Sequence, residues 1–411
     1  MTTPSEWEND LVAFLEERLP AGWGDAVRAG DETQVLELKR GVDSPAMVRV
    51  LGRAGWIAPH WAPEYGGRGL TIEDAHQVAS LLDRWEVNRI PRGSGFVLAT
   101  PTILQCASDA TKRRFLPPIA SGEERWCQLF SEPGAGSDLA SLASTAVRDG
   151  DEWVMNGQKV WTTFGHESEF AMTLARTDPT QPKHKGITYF AVDLRSPGVE
   201  VRPLRNIAGQ IEFNEVFLTD VRVPDVHRIS AVGEGWAATQ VTLGTERFAL
   251  SGARKKRKAP DEILGGKTFE QVLALARCVG ATHDLVWRQR IATEYSRHRL
   301  LQLNALRTKA NAAAGRAGPE GSVSKIAKAQ ANQSLQVLAI DLLGANASGW
   351  LGGGGDHDPW SFVEQFLRTR ANSIEGGTSE IQRNIVGERV LGLPREPDPY
   401  HGAPWNTVPR S

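Results

Sequence analysis

The chain has 411 residues and a formal net charge of −2, with 47 Lys and Arg against 49 Asp and Glu. This length predicts two or three structural units, and the balanced charge argues against a nucleic-acid or acidic-membrane partner. No apolar run reaches the roughly eighteen residues of a membrane span, and the acidic N-terminus does not resemble a signal peptide. Three cysteines without disulfide-like or metal-like spacing fit a reducing compartment, so we expect a cytoplasmic protein.

The first third of the chain has the period of amphipathic helices. Its first apolar stripe consists of Trp7, Leu11, Phe14, Leu15 and Leu19. A later helix is expected to begin at Thr71, because a hydroxyl cap there is followed by Glu73 and Asp74 in the first turn. The pattern from 96 to 119 also predicts helix, ending at Pro117–Pro118.

The pattern changes between Trp126 and Pro224, where apolar and polar residues alternate in segments at 152–155, 170–175 and 187–192. Turn pairs such as Asp149–Gly150 and Asn156–Gly157 separate these segments, which predicts a compact β unit. The helical period returns from Trp236 onward. Four glycines at 352–355 then precede an Asp-His-Asp cluster at 356–358, which indicates a surface loop, since no further ligand group supports a metal site.

Two short motifs carry the functional signal. The first, QLFSEPGAGSD at 128–138, contains Gly134 and Gly136, which allow positive φ and leave no Cβ in the way of a ligand. The second, NGQKVWTTFG at 156–165, places a tryptophan beside two hydroxyls. Together they predict a cradle for a flat ring with polar edges. Trp161 as a core residue and Ser137 as a turn-stabilising hydroxyl remain the plainer alternatives.

At these motifs the sequence resembles the acyl-CoA dehydrogenase family. The resemblance continues in YGG at 65–67 with Gly69, in VRVP at 221–224 and in GTSEIQ at 377–382. It implies an α+β fold with an N-terminal helical domain (1–123), a middle β-sandwich or barrel domain (124–230) and a C-terminal four-helix bundle (231–411). It also implies an enzyme that uses FAD to desaturate an acyl-CoA thioester between its α and β carbons.

The resemblance also assigns the binding residues. For the flavin it implies Phe130, Ser131, Gly136, Ser137, Trp161, Thr162, Thr163, Thr378 and Glu380, with Trp161 flanking the ring, Thr163 near its reactive nitrogen and Ser131 on its pyrimidine side. For the substrate it implies Ser137 at the CoA phosphate end, Arg247 as a brace, and the N–H of Gly376 on the thioester oxygen. No metal is implied.

The catalytic base departs from the commonest family pattern. Most members carry a glutamate directly before the C-terminal GTSE, where this chain has Gly376, and Glu375 stands one residue earlier. Some subfamilies instead place the base on an earlier helix, in an ER pair that matches Glu246–Arg247. Glu246 is therefore the expected base and Glu375 the alternative; an exposed helical carboxylate is the plainer interpretation of Glu246.

A run of five basic residues at 254–258 is the strongest local charge block. A solvated loop is the simplest interpretation, and contact with the phosphates of CoA is the alternative. A nucleic-acid-binding flavoprotein of the same fold is disfavoured by the overall charge.

The resemblance has consequences for assembly as well. In the family an arginine followed by Phe-Gly reaches the FAD pyrophosphate of a neighbouring subunit, and this chain lacks that pattern. The loss, with the C-terminal IQRNIVGERVLGLPRE, resembles actinobacterial dehydrogenases for sterol side chains and other bulky acyl-CoAs, several of which are heteromers. We therefore expect a heteromer with a related subunit. The alternative is a homodimer or homotetramer in which Arg290, Arg297 or Arg299 substitutes. An electron-transferring flavoprotein is the implied electron acceptor, and a non-catalytic subunit of such a heteromer is the alternative function.

Overall fold

The computed structural model describes residues 6–250, 265–314, 318, 320–349 and 358–409, except for the side chains of 246–250, 312 and 313. The basic run at 254–258, Asp356 and His357 lie outside the described residues. From residue 6, where the described part starts, to the sheet, there are seven α-helices: α1 (Glu6–Arg18), α2 (Trp23–Ala29), α3 (Glu32–Lys39), α4 (Ser44–Arg53), α5 (Ile72–Arg84), α6 (Thr100–Cys106) and α7 (Asp109–Ser121). A π-helical turn at Gly95–Ala99 leads into α6.

Local sequence explains where two of these helices begin and end. The prediction at Thr71 is confirmed, because Thr71 and Asp74 form a reciprocal capping box at the start of α5. The expected stop at Pro117–Pro118 is wrong, since α7 continues through both prolines to Ser121. Phe115, Leu116, Ile119 and Ala120 are buried on this stretch, and their packing outweighs the helix hydrogen bonds that two prolines cannot donate.

The middle of the chain forms one sheet of strands β1 (Trp126–Leu129), β2 (Thr145–Asp149), β3 (Glu152–Lys159), β4 (Phe170–Arg176), β5 (Ile187–Asp193), β6 (Val199–Arg205) and β7 (Ile211–Pro224). Their order is β1-β4-β2-β3-β7-β6, with β5 also paired to β4. β1 runs parallel to β4, whereas β5 and β7 pair antiparallel with β4 and β3. The predicted β unit is therefore confirmed.

β4 and β5 differ from the half-buried strands that alternation predicts. Every residue of β4 is buried. Phe170, Met172 and Leu174 face a core shared with α6, α7 and α8, while Ala171 and Ala175 face a second core inside the sheet unit. The period of two is real, but helices cover the face that would otherwise be solvated.

Within the described ranges, six α-helices follow the sheet: α8 (Gly235–Leu250), α9 (Phe269–Cys278), α10 (Leu285–Ala313), α11 (Glu320–Leu343), α12 (Pro359–Arg368) and α13 (Ser379–Arg389). Asp358, one member of the Asp-His-Asp cluster, caps the N-terminus of α12. After α13 the chain returns to the sheet unit, where Pro404 pairs with Pro182. Across the described ranges, none of the helices is both long and apolar enough to span a bilayer.

Candidate active site

A buried ion pair fixes the two sequence motifs side by side. Lys159, the last residue of β3, is fully buried, and its Nζ lies 2.7 Å from Oε1 of Glu132. The same Nζ donates a hydrogen bond to the carbonyl of Phe130, and the N–H of Val160 donates to the carbonyl of Ser131 at 3.0 Å. The loop after β1 is thereby held against the segment after β3.

The Glu132 carboxylate is the centre of this arrangement. It accepts backbone hydrogen bonds from Ala143 at 2.7 Å and Ser144 at 3.0 Å, in addition to the Lys159 ammonium. Burial alone would raise the pKa of Glu132, but the charge and hydrogen bond of Lys159, with the two amides, hold that pKa below its usual value. The pKa of Lys159 is lowered by burial, and the negative charge of Glu132 offsets this only in part. Neither Glu132 nor Lys159 was predicted to be a site residue, although both lie inside the two motifs.

The segment after β3 presents an aromatic face to solvent. Trp161 is 63% exposed, and its φ of +62° lies in the left-handed region, which bulky residues rarely adopt. Alternate amides fix this conformation: Thr162 donates to Asn214 at 3.1 Å and Phe164 donates to Glu212 at 2.8 Å. The N–H groups of Trp161 and Thr163 have no acceptor within the described chain. Strained backbone with unused donors is typical of ligand-binding sites.

The other predicted flavin residues have different environments. Ser131 is half-buried, whereas Gly136 and Ser137 are exposed. The Phe130 ring is buried against Tyr189, and the Thr162 hydroxyl is buried without a hydrogen-bond partner. These two residues therefore offer backbone rather than side chain to the surface formed by 130–137 and 160–164, which we call the cleft. Gly134 and Gly136 do not use positive φ, which corrects the expected reason for their presence. A Cβ on either glycine would meet no atom within 4 Å, so the surface above them is open to a ligand.

The C-terminal helices reach this cleft through a charged contact. Trp161 packs edge-on against Phe213 with ring centroids 6.0 Å apart. Arg368 at the end of α12 lies 5.9 Å from the Phe213 ring and forms ion pairs with Glu212 at 2.8 Å and Glu375 at 3.0 Å. Arg368 is 8% exposed, so it connects β7, α12 and the 375–378 turn in a largely dry environment.

Two side chains, Gln382 and Lys325, bind the turn at 376–378. Gly376 and Gly377 have φ of +63° and +88°. Gln382 donates to the carbonyl of Gly376 at 3.1 Å, and the ammonium of Lys325 in α11 donates to the carbonyl of Gly377 at 2.8 Å. Both carbonyls are thus engaged, whereas the N–H groups of this glycine pair make no hydrogen bond in the described chain, which leaves two neighbouring donors for a ligand.

Thr378 and Glu380 lie at the start of α13. Thr378 caps this helix by accepting from the N–H of Ile381 at 3.2 Å. Glu380 is exposed and pairs with Arg383 at 2.9 Å.

The two candidate bases have very different environments. Both oxygens of Glu375 accept hydrogen bonds from Arg368, at 3.2 and 3.0 Å, and Oε1 also accepts from Asn372 at 2.8 Å. Glu246 and Arg247 lie on α8, one turn after Thr242, but their side chains are outside the described residues. Thr242 bonds Tyr189 of β5 at 3.1 Å and Thr102 of α6 at 2.7 Å, which docks α8 onto both elements.

Comparison with known proteins gives this arrangement a family. Models of the acyl-CoA dehydrogenase N-terminal, middle and C-terminal domains match residues 25–123, 127–221 and 233–391. The acyl-CoA dehydrogenase IpdE1 of Mycobacterium tuberculosis is 39% identical over 369 residues, covering 89% of this chain and 91% of that protein. The chain belongs to the acyl-CoA dehydrogenase family. Its members are oxidoreductases that act on CH–CH bonds and depend on FAD.

Two solved acyl-CoA dehydrogenase structures share the fold along nearly the whole chain. The Tcur3481–Tcur3483 steroid acyl-CoA dehydrogenase superimposes with a TM-score of 0.69 at 27% identity, over 96% of this chain and 99% of that one. The ChsE4–ChsE5 complex of Mycobacterium tuberculosis gives a TM-score of 0.65 at 26% identity, over 96% of this chain and all of that one. The predicted family, fold class and enzyme class are confirmed.

The cleft fits the cofactor of the family. An exposed indole face, unused amides on Trp161 and Thr163, and open space above Gly134 and Gly136 provide stacking and hydrogen bonding for a flat ring with polar edges.

Proposed function

We propose that this acyl-CoA dehydrogenase desaturates the α,β bond of an acyl-CoA thioester from lipid or sterol side-chain breakdown. The strained, exposed Trp161 segment carries the proposal, because Phe213 and the Arg368–Glu375 ion pair link this ring-stacking surface to the turn whose glycine amides have no acceptor. The names of the similar steroid acyl-CoA dehydrogenases support the choice of a bulky substrate. When bound, FAD supplies the hydride acceptor.

The chain's own residues then have distinct roles. Ser131, Trp161 and Thr163 bind the flavin ring, with the backbone of Phe130, Gly136 and Thr162 lining the same loop. Thr378 and Glu380 approach the cofactor from α13. Ser137 contacts the phosphate end of CoA, and Arg247 braces the ligand or its helix.

In the reaction itself, the N–H of Gly376 donates to the thioester oxygen and stabilises the negative charge that develops there. Glu246 removes the proton from the carbon next to that carbonyl. Lys325 and Gln382 hold this turn in place through the carbonyls of Gly377 and Gly376.

Glu246 is preferred to Glu375 because the latter is already engaged. Glu375 has to break its two hydrogen bonds with Arg368 before it can take a proton from carbon, and this costs free energy because the Arg368 side chain is only 8% exposed and would lose one of its two carboxylate partners. That cost would be added to the barrier of the reaction.

The comparison of two matched variants tests this assignment. Glu246→Gln should retain flavin and acyl-CoA binding but lose about 10²–10⁴-fold in the rate of flavin reduction, since a positioned base typically contributes that factor. Glu375→Gln should reduce flavin within about tenfold of the wild-type rate. An inactive Glu375→Gln beside an active Glu246→Gln would reverse the assignment.

We further propose a heteromer with a related subunit. The alternative arginines all have partners within the chain: Arg290 pairs with Asp341 at 2.5 Å, Arg297 pairs with Glu294 at 2.6 Å, and Arg299 donates to Gln302. A pyrophosphate would have to displace these partners. The ChsE4–ChsE5 complex supports a two-chain assembly by its name.

Mass measurement and flavin content test the assembly. The chain expressed alone should hold little FAD, because a missing charge-assisted hydrogen bond is worth roughly 1.5–3 kcal/mol. Co-expression with the related subunit should restore flavin. A stable homo-oligomer with one FAD per chain and full activity would refute the heteromer. A flavin-loaded heteromer in which Glu246→Gln does not change the rate of flavin reduction would instead favour a non-catalytic role for this chain.

We propose an electron-transferring flavoprotein as the electron acceptor, to be tested by measuring whether it reoxidises the reduced enzyme.

A further inference from the structure

The end of the chain returns to the β unit and buries a tryptophan there. Residues 391–402 are exposed, but Trp405 is only 7% exposed although its neighbours are largely open to solvent. The backbone N–H of Trp405 donates to the carbonyl of Gln181 at 2.9 Å, and the backbone N–H of Asn406 donates to the carbonyl of Pro179 at 3.0 Å. We call residues 403–408 the C-terminal strap.

Trp405 covers an arginine that joins two loops. Its indole ring lies 4.5 Å from the guanidinium of Arg176, and its Nε1 donates to the carbonyl of Ser141 at 3.4 Å. Arg176 is 2% exposed and donates to the carbonyl of Ala140 at 2.7 Å and to that of Lys183 at 2.8 Å. One guanidinium therefore holds the 138–142 loop against the 178–186 loop, and the strap closes over it.

These loops adjoin the end of the cleft at which Ser137 lies. The Lys183 ammonium lies 2.9 Å from the Asp138 carboxylate and connects the loops a second time. Burial raises the pKa of Asp138, but hydrogen bonds from Ser141 and Lys183 lower it below its usual value. At the other side, the His184 ring packs against Trp236 of α8, with centroids 4.8 Å apart. The strap thus contacts the loop that also meets the helix bearing Glu246.

We propose that Trp405 is a positioning residue for acyl-CoA: the strap holds the 138–142 and 178–186 loops in the conformation that receives the CoA end of the substrate. The proposal rests on the proposed function, which places Ser137 at the CoA phosphates. Without the strap both loops remain attached to the sheet but have to be ordered by the ligand, and that ordering reduces affinity. The reaction centre is not touched by the strap, so the maximal rate is preserved.

The test uses the flavin-loaded enzyme, with its partner subunit where one is required, and coenzyme A as the probe. Trp405→Ala should raise both the dissociation constant of coenzyme A and the KM for acyl-CoA about tenfold, with kcat and flavin content unchanged. Trypsin should cleave after Lys183 and Lys185 faster than in the wild type. Tyr400→Ala, at an exposed residue before the strap, is the matched control and should behave as wild type.

A second variant covers the case in which Trp405→Ala fails to fold. Trp405→Leu keeps an apolar side chain over Arg176 but loses the indole N–H and the ring face, so it should show the same loss of coenzyme A affinity in a smaller degree. Wild-type affinity and wild-type trypsin resistance in either folded variant would overturn the proposal. If wild-type enzyme binds no coenzyme A, the proposed function fails instead, and the trypsin comparison still decides whether the strap holds the loops.

Discussion

Lys159→Met is the substitution that most directly perturbs the framework of the flavin cleft. The Lys159 side chain is fully buried and that of Glu132 is 8% exposed, so solvent hardly screens the pair. Removing one partner of a buried pair costs roughly 3–5 kcal/mol. The amides of Ala143 and Ser144 continue to bond Glu132, which places the expected loss in the free energy of unfolding near the lower limit, about 3 kcal/mol.

Chemical denaturation of the flavin-loaded protein at neutral pH, followed by flavin release, measures this loss. Lys39→Met is the matched control, because Lys39 pairs with Glu86 at 3.1 Å on the surface and should cost no more than about 1 kcal/mol. The double variant Lys159→Met/Glu132→Gln should recover part of the loss, since it leaves no unpaired buried charge. A loss below about 1 kcal/mol for Lys159→Met, or a double variant less stable than the single one, would refute this account.

The contribution of the Glu132–Lys159 pair to the free energy of unfolding should also depend on pH. The pKa of Glu132 is depressed in the folded wild type, so its contribution to stability is present above the unfolded pKa and is lost as the pH falls through the folded one. In Lys159→Met the buried carboxyl is expected to bind a proton more readily. The stability difference between the two proteins should therefore narrow in acid.

Two further predictions concern other contacts. A hydrogen bond from Arg228, helped by one from Trp153, outweighs burial and lowers the pKa of Asp225 to about 2. Stability present above about pH 4 should therefore be lost as the pH falls towards 2. The difference in denaturation midpoint between wild type and Asp225→Asn should shrink over that window, and a constant difference would contradict the assignment. Lys325→Met should lower kcat about 10–100-fold with flavin content unchanged, because the Gly377 carbonyl loses its donor; an unchanged kcat would show that Lys325 does not position the turn.

Local patterns in the sequence predicted much of the fold. The capping box at Thr71 and the turn at Asp149–Gly150 depend on neighbouring residues, and the structure confirms both. The turn expected at Asn156–Gly157 is wrong, because these residues lie inside β3 and the pairing with β7 shifts register there. Contacts between distant segments were not predictable in this way. The helices that cover β4, the packing that carries α7 through two prolines, and the docking of Trp405 on Arg176 all join residues far apart in the chain.

In the candidate site, too, residues within local motifs could be predicted, whereas the residues that contact them from elsewhere in the fold could not. Trp161 and Gly377 could be singled out because they match motifs of the family, and Gly376 because it stands where most members carry a glutamate. The groups that hold them, Lys159 and Lys325, could not be recognised, since a lysine in a sequence is usually exposed and only the fold reveals its burial.

The central claim is that this chain desaturates an acyl-CoA thioester. The most direct measurement is anaerobic mixing of the flavin-loaded enzyme, with its partner subunit where required, with a panel of acyl-CoAs that includes steroid side-chain thioesters. We expect the visible absorbance of the flavin to bleach with at least one of them, and mass spectrometry to detect an acyl-CoA that has lost two hydrogen atoms. Flavin-loaded protein that binds these thioesters but leaves every one unchanged, with its absorbance intact, would contradict the claim.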